Sequence, residues 1–95
     1  MSSIEQNVQG RLYVVSVPLG HVADMTERGR RVLSEVDGVL CEDKRRTGRL
    51  MADLGLEVRL VAFHAHNQSA MTDKVVAWLQ KGQQWALVSD AGTPL

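Results

Sequence analysis

Four short polar segments hold the side chains and turns able to do chemistry, and each stands directly behind an apolar run. The richest is Glu42-Asp43-Lys44-Arg45-Arg46-Thr47, with Arg49 close behind. Its two carboxylates are fit to act as a general base, to hold magnesium, or to cap a helix by accepting its orphan backbone N–H groups. Arg45, Arg46 and Arg49 suit phosphate oxygens, because a guanidinium fork matches them two bonds at a time, although a solvated helix face takes such residues too. Ser89-Asp90-Ala91-Gly92-Thr93-Pro94 is the most constrained segment. Gly92 lets a ligand approach the backbone and Pro94 fixes the exit. Asp90, at the end of a buried run, needs a partner there, either local N–H groups or a ligand hydroxyl or ammonium.

The other two segments are quieter. His64-Ala65-His66-Asn67-Gln68-Ser69 offers two imidazoles that alternate at a strand end and so point in different directions, either bonding within their loop or touching a polar substrate. Pro18-Leu19-Gly20-His21 lacks both the glycine spacing of a dinucleotide fingerprint and the lysine of a phosphate-binding P-loop. Cys41 is the only cysteine, too isolated to complete a zinc pattern with the histidines, so no metal site is assigned. There is no Gly-x-Ser-x-Gly elbow for a hydrolytic serine.

What must position these segments is legible in the hydrophobic pattern. Leu12 to Val17, Val36 to Cys41, Val58 to Phe63 and Trp85 to Val88 read as strands. Between them, helical spacing predicts a helix ending near Glu35, a short one around Leu50–Leu54 stopped by Gly55, and a third from about Ser69 or Ala70 to Lys81. Asp24 with Glu27 has capping-box spacing, Thr26 is a rival cap, and Gly29 weakens the first helix. Trp78 and Trp85 suit core positions better than a nucleic-acid stacking platform. Strand–helix alternation with short connections predicts an α/β fold, a parallel sheet built from βαβ crossovers. The strands run apolar throughout, as both-sided burial demands. All four polar segments then fall at the carboxyl edge, where open α/β sheets bind ligands.

The chain has 95 residues, 44% hydrophobic and 23% charged, with eleven basic and eleven acidic side chains. That balance excludes a global field toward nucleic acid or membrane. Yet Arg28, Arg30, Arg31, Lys44, Arg45, Arg46 and Arg49 gather seven of the eleven cations into a quarter of the chain. Met1 to Arg11 lacks a signal-peptide core, no apolar run nears the ~20 residues that cross a bilayer, and a single cysteine fits a reducing compartment. A cytoplasmic protein is the expectation. Residues 1–10 are expected to be a flexible tail and 11–95 an incomplete amino-terminal α/β domain, since the sequence stops just behind its fourth strand.

Four ordered motifs carry a resemblance. They are Gly10-Arg11-Leu12-Tyr13-Val14-Val15 with Pro18-Leu19-Gly20, Cys41 to Thr47, Phe63 to Gln68, and Leu87-Val88-Ser89-Asp90-Ala91-Gly92-Thr93-Pro94-Leu95. Together the chain resembles the ribosomal RNA small subunit methyltransferase I family, within the tetrapyrrole methylase-like (class III) superfamily. The resemblance implies a two-domain enzyme, with this chain as most of the first domain and the carboxyl-terminal domain absent. It implies S-adenosyl-L-methionine in the interdomain cleft and methylation of a cytidine ribose 2′-oxygen in 16S ribosomal RNA. A homodimer acting on the small ribosomal subunit, with neither DNA nor membrane as partner, is also implied. By position, Pro18, Gly20, Asp90, Ala91, Gly92 and Thr93 match the cofactor-binding segments. Glu42 and Asp43 match the catalytic motif, and Arg45, Arg46, Arg49, His66 and Asn67 match the RNA-facing one. Val17, His21, Cys41, Lys44 and Gln68 depart from the family's usual threonine, asparagine, alanine, threonine and glutamate. Two other readings stand beside this one. One is a methyltransferase of the same superfamily acting on a tetrapyrrole or other small molecule; the other is a non-catalytic domain that folds or self-associates. The arginine-rich segment and the ending Ser89–Leu95 favour RNA over a tetrapyrrole.

Overall fold

The computed structural model describes residues 9–18 and 22–90, with the backbone but not the side chain of Asp90. Strand β1 is Arg11–Val17, helix α1 Glu27–Glu35, β2 Gly38–Cys41, α2 Lys44–Leu54, β3 Arg59–Ala62, α3 Gln68–Gln80 and β4 Gln84–Asp90. A short 3₁₀ turn, Val22–Asp24, precedes α1. The four strands form one sheet in the order β1-β4-β2-β3, with every pairing parallel. The α/β class and the parallel crossovers are thus as the hydrophobic pattern predicts.

The two faces of the sheet have separate cores. Val15, Val17, Val39 and Ala86 meet Leu33 of α1 and Met51 and Leu54 of α2 on one face. Leu40 and Trp85 meet Val75 of α3 on the other. Two crossovers advance toward β3 with their helices on the first face, and the third returns to β4 with its helix on the second. One hand serves all three, as the right-handed rule requires.

Local chemistry sets the ends of these elements, and it moves several of the expected boundaries. Thr26, not Asp24, caps α1, its Oγ1 accepting from the Gly29 N–H at 3.0 Å. Val36 belongs to the end of α1, where its N–H bonds to the Val32 carbonyl at 3.2 Å, so β2 begins two residues later. Helix α2 starts at Lys44 because Asp43 caps it, which folds the arginine-rich stretch into a helix instead of leaving it as a loop. Gly55 ends α2 at φ 73°, the left-handed region that glycine enters without penalty. Gly29 is a packing device more than a weakness. It is buried, and a Cβ there would stand 2.7 Å from Met25 Cε and 3.3 Å from Val15 Cγ1. Its bareness lets α1 lie close on β1.

On the second face, Trp78 and Trp85 stack with centroids 4.5 Å apart and rings 12° from parallel. The Arg59 guanidinium lies 5.0 Å from the first ring centroid and 5.6 Å from the second. Trp85 is fully buried and its Nε1–H donates to Gln83 Oε1 at 2.9 Å. Core positions therefore account for both tryptophans, as expected. Strand β1 lies at the sheet edge, and Leu12 and Val14 stay 44% and 60% exposed beside it.

Candidate active site

The carboxyl ends of the strands share one edge, so the expected convergence of the polar segments is met wherever the residues are described. Val17 and Asp90 are ladder partners, as are Cys41 and Ala62. The chain therefore leaves β1 and β4 at neighbouring points, and β2 and β3 at another neighbouring pair. Behind Cys41 the chain turns to α2 on one face; behind Ala62 it turns to α3 on the other. Both loops thus start from the carboxyl edge of the sheet, where open α/β sheets bind ligands. Sequence alone places Glu42 and the His64 loop at the same edge; only strand order makes them neighbours. The Phe63 N–H donates to the Cys41 carbonyl at 2.8 Å, which holds the two loops together at their roots.

The two adjacent carboxylates have separate fates. Asp43 Oδ1 accepts from the N–H groups of Arg45 at 3.0 Å and Arg46 at 3.2 Å, the bonding of an N-cap. Glu42 is exposed at the carboxyl edge of the sheet and lies outside the helix. In α2, Thr47, Met51 and Leu54 are buried, which puts Arg45 and Arg49 on the opposite, solvent-facing arc. They are four residues apart and so neighbours on the surface. Two like charges there cost the helix a few tenths of a kcal/mol, about 0.2–0.5, unless an anion lies between them. Arg46 is exposed, with its main-chain N–H on Asp43. Arg30, from the same cationic quarter, is used structurally: its Nη2 donates to the Leu54 carbonyl at the end of α2 at 3.1 Å.

The His64–Asn67 loop departs from the alternation expected of a strand end. β3 stops at Ala62 and residues 65–67 turn, so the two imidazoles come together edge to face with centroids 5.8 Å apart. The His66 N–H donates to His64 Nδ1 at 3.2 Å, which leaves the neutral His64 ring its proton on Nε2. Asn67 Oδ1 accepts from the His64 N–H at 2.8 Å, and its Nδ2 donates to the Ala62 carbonyl at 2.9 Å. His66 is exposed and lines an open groove of about 590 Å³ with Ala65, Gln68, Ser69, Thr72 and Asp73. Of these groove residues the sequence reading picked out only His66 as a site residue. The spacing of Gln68, Ser69, Thr72 and Asp73, two pairs one helical turn apart, is the signal that marks them as one polar stripe.

Of the segments matched to the cofactor, Pro18 is half-buried behind β1 and the Asp90 backbone closes β4. Gly20, Ala91, Gly92 and Thr93 lie outside the described residues. Cys41 is buried at the end of β2, its Sγ donating to the Val61 carbonyl at 3.8 Å. Burial pushes its thiol up, outweighing the Thr47 hydroxyl and the Lys44 ammonium that pull it down. A raised folded pKa means that this contribution to stability is complete below the unfolded value, about 8.5, and is lost as pH rises toward the folded one. The urea midpoint is therefore expected to fall between neutral and alkaline pH more in the unaltered chain than in Cys41→Ala. Parallel declines would remove Cys41 as a source of the alkaline loss.

The family model for tetrapyrrole (corrin/porphyrin) methylases matches residues 11–95. The chain is 49% identical over 89 residues to a ribosomal RNA small subunit methyltransferase I of Escherichia coli O157:H7, covering 94% of this chain and 31% of that protein. A protein of the same name from Neisseria meningitidis serogroup A is 45% identical over 87 residues, covering 92% of this chain and 30% of the relative. Another from Bacillus subtilis is 40% identical over 94 residues, covering 99% and 32%. The chain thus spans about a third of the length of these relatives. With an all-parallel sheet flanked by helices and a family match running from β1 to the last residue, the chain belongs to the tetrapyrrole (corrin/porphyrin) methylase family.

Proposed function

We propose that this chain provides the catalytic-edge portion of an S-adenosylmethionine-dependent methyltransferase acting on a cytidine ribose 2′-oxygen of 16S ribosomal RNA. The observation that carries this reading is the exposed Glu42 carboxylate at the carboxyl edge of the sheet, followed by outward-facing Arg45 and Arg49, in a chain 49% identical to a named ribosomal RNA methyltransferase. A carboxylate and a pair of guanidinium groups are what a ribose hydroxyl flanked by phosphates requires. The reading makes the working protein a cytoplasmic homodimer and the 95 residues inactive by themselves. Among the described residues no helix is long and apolar enough to cross a membrane.

S-adenosylmethionine, when bound, supplies an electrophilic methyl group. The residues proposed to hold it are Pro18, Gly20, Asp90, Ala91, Gly92 and Thr93. They fit such a ligand in that Val17 and Asp90 are ladder neighbours, so both segments start from one place on the ligand-binding edge. A ribose hydroxyl is a poor nucleophile at neutral pH, so the chain's own task is to align it and relieve it of its proton. Glu42 is assigned to accept that proton at its carboxylate. Asp43 keeps the helix, and thereby Arg45, in place. Arg45, Arg46, Arg49 and His66 are assigned to the RNA.

The test is transfer of labelled methyl to under-methylated small ribosomal subunits by a full-length enzyme in which residues 11–95 replace the aligned part of the Escherichia coli relative. Label mapped to a ribose 2′-oxygen is the expected result. A folded protein that labels a tetrapyrrole and no RNA would overturn it. The phosphate assignment has its own check. Arg45→Ala should weaken RNA binding and lower the slope of log affinity against log salt by about one. An unchanged slope would free Arg45 from that role.

A further inference from the structure

The geometry points to Asn67 as a positioning residue that presents His66 to RNA without touching RNA itself, an assignment that rests on the RNA reading above. The amide of Asn67 is turned inward and occupied at both ends. Its Oδ1 takes the His64 N–H at 2.8 Å, its Nδ2 reaches the Ala62 carbonyl at 2.9 Å, and its own N–H bonds to the His64 carbonyl at 3.1 Å. Both amide partners are backbone groups, so the orientation of the side chain is fixed by donor and acceptor type. Asn67 also opens α3 without capping it through its side chain, so the amide serves the loop in preference to the helix.

What the loop gains is a fixed pair of histidines. With His64 pinned by Asn67, its Nδ1 accepts the His66 N–H at 3.2 Å, and the two rings meet edge to face. His66 is then the exposed member, set in the groove with Gln68, Ser69, Thr72 and Asp73, in a loop that leaves the same sheet edge as Glu42. An exposed imidazole held from behind is a surface on which an unstacked RNA base can stack or to which it can bond. Freed from the Asn67 clamp, the loop would have to order itself at the moment of binding, at an entropic cost.

The experiment is a double-mutant cycle with the 95-residue chain and a short, unstructured, cytidine-containing RNA oligonucleotide at low salt. His66→Ala and Asn67→Ala should each weaken binding by about tenfold, the scale of one lost base–ring contact. The double variant should be no weaker than either, since both remove one contact. The ¹⁵N shifts of His64 should report the Nε2–H tautomer in the unaltered chain and in His66→Ala, and a mixture in Asn67→Ala. The Trp78–Trp85 emission tells whether the rest of the fold is intact. Should Asn67→Ala fail to fold, Asn67→Ser, which keeps a neutral hydroxyl acceptor, goes through the same cycle. Losses that multiply in the double variant, or an Asn67 effect without a His66 effect, overturn the assignment. Failure of the unaltered chain to bind RNA, or failure confined to the cycle, removes this assignment, whereas the RNA reading falls only if the full-length enzyme carrying residues 11–95 labels no RNA.

Discussion

Gly38→Ala should destabilise the fold by about 3 kcal/mol or more, the upper range for overpacking a dense core. Gly38 and Trp85 are register partners in β2 and β4, and the indole lies across the bare Cα. A Cβ there would drive into Trp85 Cζ3 and Cη2 and stand 2.9 Å from Cε3. The ring cannot yield. It is fully buried, Trp78 stacks on it at 4.5 Å, Arg59 lies over the pair, and Gln83 holds its Nε1–H at 2.9 Å. The contrast is Gly48→Ala in the middle of α2, where the nearest atom to a new Cβ is Leu60 Cδ1 at 3.6 Å, an ordinary contact. That change should stabilise by about 0.5–1 kcal/mol, because glycine is a poor helix residue. Urea unfolding followed by tryptophan emission measures both, and far-UV circular dichroism shows whether Gly38→Ala folds at all. A Gly38→Ala midpoint equal to that of the unaltered chain would mean that the indole does not rest on Gly38.

The second large effect divides two neighbouring carboxylates. Under the proposed function, Glu42→Gln removes the proton acceptor and keeps the side chain's shape, so single-turnover methyl transfer should fall between about a hundredfold and ten-thousandfold. Asp43→Asn should leave the rate close to that of the unaltered protein, since asparagine caps helices as well as aspartate does. Asp43→Ala should cost about 1 kcal/mol of stability through the two N–H groups it leaves unpaired. The measurement is made in the full-length enzyme carrying residues 11–95. Equal losses for Glu42→Gln and Asp43→Asn would show that Asp43 does more than cap, and an active Glu42→Gln would take the base role from Glu42.

This pair also shows how far the sequence could be read. Glu42 and Asp43 stand side by side with every option open, and no spacing rule separates a cap from a base. Helix α2 decides between them by starting at Lys44. That start is hidden from the hydrophobic pattern because Lys44, Arg45 and Arg46 are all exposed, so the apolar spacing becomes visible only from Thr47 onward. His64 and His66 fail for a related reason. Alternation holds only while the chain is extended, and Asn67 folds it back one residue after His66.

By itself the sequence determined the α/β class and the order of four strands and three helices, though it started α2 six residues late and ended β4 two residues early, at Val88, leaving Ser89 and Asp90 to a turn. Those follow from local periodicity and from the rule that strand–helix alternation gives parallel sheets. It also carried the family, since the motifs are contiguous in the chain. Tertiary structure alone decided that β4 lies between β1 and β2, because strand order depends on which faces can be buried together and leaves no local trace. From that order came the neighbouring exits of the Glu42 and histidine segments, the need for a bare Gly38 under Trp85, and the edge position of β1 among the described strands. Each is a contact between residues distant in sequence, and such contacts are fixed only when the helices choose their faces of the sheet.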